Sequence, residues 1–168
     1  MTFSIGIDVG GTKILGGVVD SSGKVIHKIR AATPSAGGME LLDSIAEVSD
    51  SLAKFQKVEH IGLSIAGFVS ADRQRMLATP NISNLNDVEM AQYLSKSTGK
   101  KVVIENDGNA AAWGEYRFGA VQNSKSMLMV TLGTGIGGGI IVNGELLRGA
   151  FGIGGEIGHL NVVPQGAP

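Results

Sequence analysis

Four short segments hold most of the polar residues that could do chemistry. They are Asp8-Val-Gly-Gly-Thr-Lys13, Glu105-Asn106-Asp107, Gly133-Thr-Gly-Ile-Gly-Gly138 and Gly154-Gly-Glu-Ile-Gly-His159. Three of these segments are rich in glycine, and the sequence holds 26 glycines in 168 residues, roughly twice the average usage of about 7%. Clustered glycine is typical of backbone that closely approaches a ligand.

The first glycine segment has the composition of an anion-binding turn. Gly10 and Gly11 allow backbone N–H groups to close around a phosphate, and Thr12 and Lys13 add donors and positive charge. Asp8 could hold Mg²⁺ on the phosphates, because a hard cation prefers carboxylate oxygen. The spacing does not match G-x-x-x-x-G-K-[ST], and a strand follows instead of a helix. A plain glycine-rich hairpin turn is the alternative.

The second glycine segment is formally a G-x-G-x-x-G motif. Residues 139–142 and the Asn143-Gly144 turn continue it as strand, so it cannot open the helix that a dinucleotide-binding loop requires. We interpret Gly133, Thr134, Gly135, Gly137 and Gly138 as a second phosphate-binding turn. A purely structural glycine hairpin remains the alternative.

Glu105, Asn106 and Asp107 lie between a buried strand and a helix, where α/β folds usually place ligand groups. Asp107 could accept the proton of a substrate hydroxyl that attacks a bound phosphate chain, which contributes about 10² to 10⁴ in rate. Alternatively, Asn106 or Asp107 simply caps the helix.

Glu156 and His159 form a carboxylate and imidazole pair that suits the recognition of vicinal hydroxyls. Asn81, whose amide both donates and accepts, suits the same task. Each residue alone is more often a solvated or hydrogen-bonded loop residue.

The elements that must position these residues follow the order βββαβαβα and then a new set of strands. Strands are predicted at 3–9, 14–19, 24–31, 61–65 and 102–104, and helices at 39–57, from about 86 to 98 and at 107–118. Phe55 is placed on the first helix, Asn86 and Glu89 are predicted to form a capping box, and 67–82 a loop or hairpin. The prediction is an α/β domain at 1–120 and the beginning of a second domain at 121–168.

Charge and composition exclude several partners. Fourteen basic and fifteen acidic residues give a net charge of -1 without long runs of either sign, so neither nucleic acid nor an anionic membrane is expected. The sequence has no cysteine and no apolar run of the ~20 residues that a membrane helix needs. Its first residues have no basic n-region and no small-residue cleavage site, so we expect no signal peptide. We therefore expect a cytoplasmic protein with a small-molecule partner.

Five stretches together resemble the N-terminal half of a bacterial sugar kinase of the ROK family, and are closest to the glucokinases of that family. They are IGIDVGGTKI, AGFV with ATPNI, IENDGNAAAWGEYRFGA, VTLGTGIGGGIIVNGELLRGA and GGEIGHLNVVP.

The resemblance implies an actin-like, hexokinase-like (ribonuclease H-like) fold, with a mixed sheet, flanking helices and an incomplete second domain. It also implies transfer of the terminal phosphoryl group of ATP to the 6-hydroxyl of glucose, with Mg²⁺. Asp107 resembles the catalytic base of the family. The sugar contacts are expected at Asn81, Asn106, Asp107, Glu156 and His159, with Gly67 as a weaker case.

The sequence also departs from the family pattern. The family has a cysteine-rich zinc motif to which a histidine contributes, whereas this sequence has no cysteine, so His159 can supply only one Zn²⁺ ligand. N-acetylmannosamine, mannose or fructose stay open as substrates and polyphosphate as donor. A sugar-sensing regulator or an inactive fragment is the alternative function. We also expect a homo-oligomer, because strands such as 139–142 and 145–147 would expose sheet edges.

Overall fold

The computed structural model describes residues 2–122, 124–133 and 135–163. Its strands are β1 Phe3–Val9, β2 Lys13–Asp20, β3 Val25–Ala32, β4 Val58–Ile65, β5 Phe68–Val69, β6 Met76–Ala78, β7 Lys101–Asn106, β8 Ser126–Leu132, β9 Ile136–Val142 and β10 Glu145–Leu146. The helices are α1 Gly38–Ala53, α2 Met90–Thr98 and α3 Asp107–Phe118, and a 3₁₀ turn spans Ile157–His159.

The larger sheet has five strands in the order β3-β2-β1-β4-β7. The first three strands along the chain pair antiparallel, whereas β1, β4 and β7 run parallel. This arrangement confirms the predicted α/β class with a mixed sheet. The carboxyl ends of β1, β4 and β7 therefore meet at one edge of the sheet.

One face of this sheet builds the main core. Along β1 the apolar residues Ile5, Ile7 and Val9 are buried and alternate with exposed positions, as expected for a strand with one covered face. Helices α1 and α2 cover that face and contribute side chains such as Leu41 and Leu94 to the same cluster. Burying these side chains supplies most of the free energy of folding.

Helix α1 is shorter than its predicted range of 39–57. It ends at Ala53, and Phe55 lies beyond it with half of its surface exposed, stacked on His27 with the ring centroids 3.5 Å apart. The placement of Phe55 on the helix face was therefore wrong. The capping box before α2 was also wrong: Glu89 is the N-cap without a side-chain hydrogen bond, and Asn86 Oδ1 accepts from the backbone N–H of Thr79 at 3.3 Å.

The segment between β4 and α2 contains the short antiparallel hairpin of β5 and β6, as predicted. Gly67 opens this hairpin at φ 132°, and a Cβ at this position would lie 2.4 Å from the backbone oxygen of Ala78. Both the dihedral angle and the close contact require glycine.

Strand β7 passes into helix α3 without an intervening loop. Asn106 ends the strand and Asp107 begins the helix, so Glu105 and Asn106 lie within the strand instead of after it. The helix then packs on β9, and glycine and alanine residues allow the two elements to approach closely. A Cβ on Gly108 would lie 2.6 Å from the oxygen of Gly138, and one on Gly139 would lie 2.4 Å from the Cβ of Ala112.

The smaller sheet has the order β10-β9-β8. The predicted Asn143-Gly144 turn is confirmed, with positive φ at both residues. Strand β9 is central, because β8 pairs along its whole length. The prediction that 139–142 exposes an edge was therefore wrong, and the edge strands of this smaller sheet are β8 and β10. On β8, Leu128, Val130 and Leu132 are exposed.

In the part of the chain that the structure describes, the helices are too short or too polar to cross a membrane.

Candidate functional site

Three polar side chains form a row across the carboxyl ends of the parallel strands. The strand register places Asp8 beside Ser64 and Ser64 beside Glu105. The Ser64 hydroxyl donates to Asp8 Oδ1 at 3.0 Å. The row gathers polar groups at one edge of the sheet, and Ser64 had not been singled out from the sequence.

The first glycine segment forms a tight turn between β1 and β2. The Gly10 N–H donates to the backbone oxygen of Lys13 at 2.9 Å. Thr33 holds the turn from the neighbouring strand: its hydroxyl donates to the oxygen of Gly10 at 2.7 Å and its N–H to the oxygen of Thr12 at 3.2 Å. Thr12 and Lys13 are exposed. The turn is thus fixed, while Gly11, Thr12 and Lys13 face solvent.

Sequence reasoning missed Thr33. The pairing of β2 with β3 places Lys13 opposite Ala32, so extending that hairpin by one residue would have brought Thr33 to the turn.

Asn81 lies beside the same turn. A Cβ on Gly11 would be 3.6 Å from the backbone oxygen of Asn81. The loop that follows β6 is therefore brought against the first glycine segment, and the exposed Asn81 side chain lies at its border.

The second glycine segment is a shorter turn than its sequence predicted. The Gly133 N–H donates to the oxygen of Gly135 at 2.9 Å, and Thr134 lies outside the described residues. Gly137 and Gly138 already belong to strand β9, where Gly138 pairs with Val130. Both residues therefore lie in the strand and not in the turn, and the turn itself is bounded by Gly133 and Gly135.

The Asn106 side chain connects three elements. Its Oδ1 accepts from the N–H of Asn109 at 3.0 Å and so caps α3. Its Nδ2 donates to the backbone oxygen of Gly67 at 3.1 Å and to Glu156 Oε1 at 3.3 Å. The residue is 9% exposed. One amide thus holds the tip of β7, the hairpin opening and the glutamate segment together.

Asp107 is exposed at the first position of α3. Its Oδ1 accepts from the N–H of Gly108 at 2.9 Å. Since Asn106 provides the cap, capping does not explain Asp107. The carboxylate is exposed to solvent at the N-terminal end of α3, where the helix dipole favours a negative charge.

Glu156 is half-buried, and His159 is exposed beside it. Their closest side-chain atoms, Glu156 Oε2 and His159 Nε2, are 3.8 Å apart. Burial raises the pKa of the Glu156 carboxyl; the charge of His159 opposes this, and the negative charge of Asp107 adds to it. The His159 ring also lies 5.9 Å from that of Phe68.

Glu105 carries a further polar cluster that the sequence did not reveal. Its Oε2 accepts from Arg148 Nε at 2.8 Å, and Arg73 Nε lies 3.8 Å from the same oxygen. The type and position of Glu105 at a strand end were visible in the sequence, but its two arginine partners come from distant segments.

The donors for the two expected metals differ. Asp8 is exposed and directly precedes the first glycine turn, which fits a magnesium ion held by one carboxylate and by substrate phosphates. No group of three histidine, cysteine, aspartate or glutamate side chains comes together among residues 2–122, 124–133 and 135–163. A structural zinc site takes four such ligands and a catalytic one three, so the described residues around His159 do not fit zinc.

The side chains of the polar row also border a cavity of 770 Å³. Its lining includes Asp8, Ser64, Glu105, Trp113 and Arg148. The amide and carboxylates that meet around Asn106 do not belong to that lining. The contacts of Asn106 therefore define the candidate site better than the cavity does.

Comparison with known proteins gives a consistent result. The model of the ROK family matches residues 4–168. The glucokinase of Streptomyces coelicolor is 39% identical over 166 residues, which are 99% of this chain and 52% of that protein.

Two solved structures agree. A ROK family glucokinase from Streptomyces griseus, in complex with glucose and AMPPNP, has a TM-score of 0.89 at 43% identity and covers 98% of this chain and 52% of its own. The ROK hexokinase from Thermus thermophilus has a TM-score of 0.90 at 38% identity, covering 99% of this chain and 55% of its own. The chain thus spans about half the length of these relatives.

Proposed function

Because the chain belongs to the ROK family and has the actin-like fold of its hexokinases, we propose that its site serves the transfer of a phosphoryl group from ATP to the 6-hydroxyl of glucose. The observation that carries the proposal is the Asn106 amide, which joins Gly67 and Glu156 immediately beside the exposed carboxylate of Asp107. The resemblance to a glucokinase whose structure holds glucose and AMPPNP supports it.

The sugar is held by groups of complementary hydrogen-bonding character. Glu156 accepts from sugar hydroxyls, His159 donates or accepts, and the Asn106 amide orients the glutamate. Asn81 borders the site from the side of the first glycine turn. The backbone at Gly67 completes the wall of the site.

The phosphates of ATP lie against the two glycine turns. The backbone N–H of Gly11 and the side chains of Thr12 and Lys13 supply donors on one side, and the second glycine turn, from Gly133 to the start of β9 with Gly137 and Gly138, approaches from the other. Asp8 would hold Mg²⁺, which neutralises phosphate charge when it is bound. The described donor set gives zinc no part in this proposal.

Asp107 accepts the proton of the reacting hydroxyl. The oxygen of that hydroxyl forms a bond to the terminal phosphorus, the bond from that phosphorus to the bridging oxygen breaks, and ADP leaves with the electron pair. Because Asp107 is exposed at the first position of α3, its carboxylate oxygens are accessible to the reacting hydroxyl.

We also propose the domain division at residues 120 and 121. It separates the five-stranded sheet with its helices from the strands β8 to β10. A homo-oligomer stays a prediction, to which the exposed apolar side chains of β8 lend support.

A coupled kinase assay with the complete gene product tests the function. We expect ATP-dependent turnover with glucose, compared with mannose, fructose and N-acetylmannosamine, and with polyphosphate as an alternative donor. Asp107→Asn should lower kcat by about 10² to 10⁴ while calorimetry still detects glucose binding. Unchanged turnover would show that Asp107 is not the base. Glucose binding without any turnover in the unmutated protein would instead indicate a sugar sensor.

A further inference from the structure

The proposed mechanism gives the Glu105 side chain no role. Yet Glu105 has more polar contacts than Asp8 and Ser64, the other two residues of the polar row. Its Oε2 accepts from Arg148 Nε at 2.8 Å. Its Oε1 accepts from Asn109 Nδ2 at 3.3 Å. Only 13% of the side chain is exposed. A carboxylate this well covered is held by its partners and not by water.

Arg148 connects Glu105 to the segment that carries Glu156. The backbone oxygen of Arg148 accepts from the N–H of Gly154 at 2.7 Å, and Glu156 follows two residues later. The preceding residue, Leu147, donates its N–H to Ile140 of strand β9 at 2.7 Å. The guanidinium is therefore attached to a backbone segment that is fixed both to the small sheet and to the start of the glutamate loop.

Asn109 connects Glu105 to the other side of the site. Its side chain donates to Glu105, and its N–H donates to Asn106 Oδ1. Asn109 is 2% exposed. Glu105 is thus linked through Arg148 to the Glu156 segment and through Asn109 to Asn106. The same two segments are also joined directly by the hydrogen bond between Asn106 and Glu156.

The cluster contains two guanidinium groups and one carboxylate, so Glu105 is the negative charge that both arginines depend on. Arg73 and Arg148 share Glu105 as their anion. Burial lowers the pKa of the Arg73 guanidinium, the charge of Arg148 lowers it further, and Glu105 opposes both. Without Glu105 two guanidinium groups would face each other in a half-buried place.

From these contacts we infer that Glu105 and Arg148 are positioning residues, whose ion pair holds the Asn106–Asp107 strand tip and the Glu156 segment at the separation that sugar binding needs. The inference rests on the proposed function, since it assigns the pair to the same hexose site. In this inference the two residues act on the sugar indirectly. Their effect reaches the sugar through Asn106 and Glu156.

Glucose binding to the complete gene product, measured by isothermal titration calorimetry, tests this inference. The variants are Arg148→Ala and, as a matched control, Arg75→Ala. Arg75 Nε lies 3.5 Å from Glu89 Oε1, in an exposed pair. Arg148→Ala should weaken glucose binding about ten- to a hundredfold, the effect of misplacing groups by about 1 Å. Arg75→Ala should bind glucose as the unmutated protein does.

Added guanidinium provides a readout that a purely structural role would not move. It should restore part of the glucose affinity of Arg148→Ala, compared with the same concentration of sodium chloride, because the small cation can occupy the position beside Glu105. Arg148→Lys should lie between the unmutated protein and Arg148→Ala, since lysine keeps the charge but forms a single contact. Melting temperatures show whether each variant is folded.

Each outcome decides the question. Full glucose affinity in Arg148→Ala, or an equal loss in Arg75→Ala, would overturn the positioning role. If Arg148→Ala does not fold, Glu105→Gln is measured instead, because glutamine keeps the shape and a hydrogen-bonding oxygen but removes the charge. Unchanged glucose affinity in Glu105→Gln would equally overturn the inference. Failure of the unmutated protein to bind any hexose would instead refute the proposed function.

Discussion

Asn106 offers the sharpest test of the site, because its side chain does two separable things. Its oxygen caps helix α3, and its Nδ2 group joins Gly67 to Glu156. Asn106→Ala removes both functions. Asn106→Ser retains an oxygen that can cap the helix but loses the amide donors. Comparing the two variants therefore separates helix capping from site assembly.

The expected losses follow from these hydrogen bonds. The cap contributes about 1 kcal/mol to the free energy of unfolding. The donations to Gly67 and Glu156 contribute about 2 kcal/mol together, since one acceptor is neutral, the other is charged, and both lie near solvent. We expect Asn106→Ser to lose about 2 kcal/mol and Asn106→Ala about 3 kcal/mol. For a chain of this size, the melting temperature falls by about 4 to 8 °C and about 6 to 12 °C respectively.

Thermal unfolding and glucose calorimetry on the same preparations provide the assay. Both variants should lose glucose affinity to a similar degree, because both free the Glu156 carboxylate. Asn86→Ala is the control: Asn86 lies outside the site and accepts one hydrogen bond from Thr79, so its loss should stay below about 1.5 kcal/mol. Equal stability of the Ser and Ala variants would refute the capping role. Unchanged glucose affinity would refute the role of the amide in the site.

Two further predictions concern Glu156 and the contact of α3 with β9. Because the pKa of Glu156 is raised, its carboxylate should become protonated, and glucose affinity should drop, at a higher pH than for an ordinary glutamate. Asp107→Asn should move this drop to lower pH, because the substitution removes a negative charge that raises the pKa of Glu156. Calorimetry at a series of pH values measures both effects. Gly139→Ala should lower the free energy of unfolding by about 1 to 3 kcal/mol, because the new Cβ would lie 2.4 Å from Ala112. Gly114→Ala adds its Cβ to open space on α3 and should raise the free energy of unfolding by about 0.5 to 1 kcal/mol. Urea titrations of the two variants check the sign of each change.

Local patterns in the sequence were sufficient for most elements. The alternation in β1 and the Asn143-Gly144 turn predicted structure from neighbouring residues alone, and both are present. The capping box at Asn86 failed because a tertiary contact competed for the side chain: its oxygen accepts from Thr79. Sequence spacing describes what a side chain can reach locally, but it does not show which of several partners it meets.

The site depended on contacts between distant segments. Asn106 meets Gly67 and Glu156, which are 39 and 50 residues away along the chain. Their residue types could be selected from the sequence, but only the strand order brings them together. The partners of Glu105 were hidden for the same reason, since Arg148 is 43 residues away. The central position of β9 likewise follows from pairing with two strands, which periodicity does not specify.

The contact between α3 and β9 has a consequence for the entropy of assembling this site. Glycine and alanine have no side-chain rotamers to lose, whereas ordering a long side chain costs up to about 2 kcal/mol. Packing of α3, which begins with Asp107, against β9, which follows the second glycine turn, therefore costs no side-chain entropy at four contact positions. These positions are Gly108, Ala112, Gly138 and Gly139. At these four positions the two segments meet through backbone atoms and one methyl group, which have no rotamers to change.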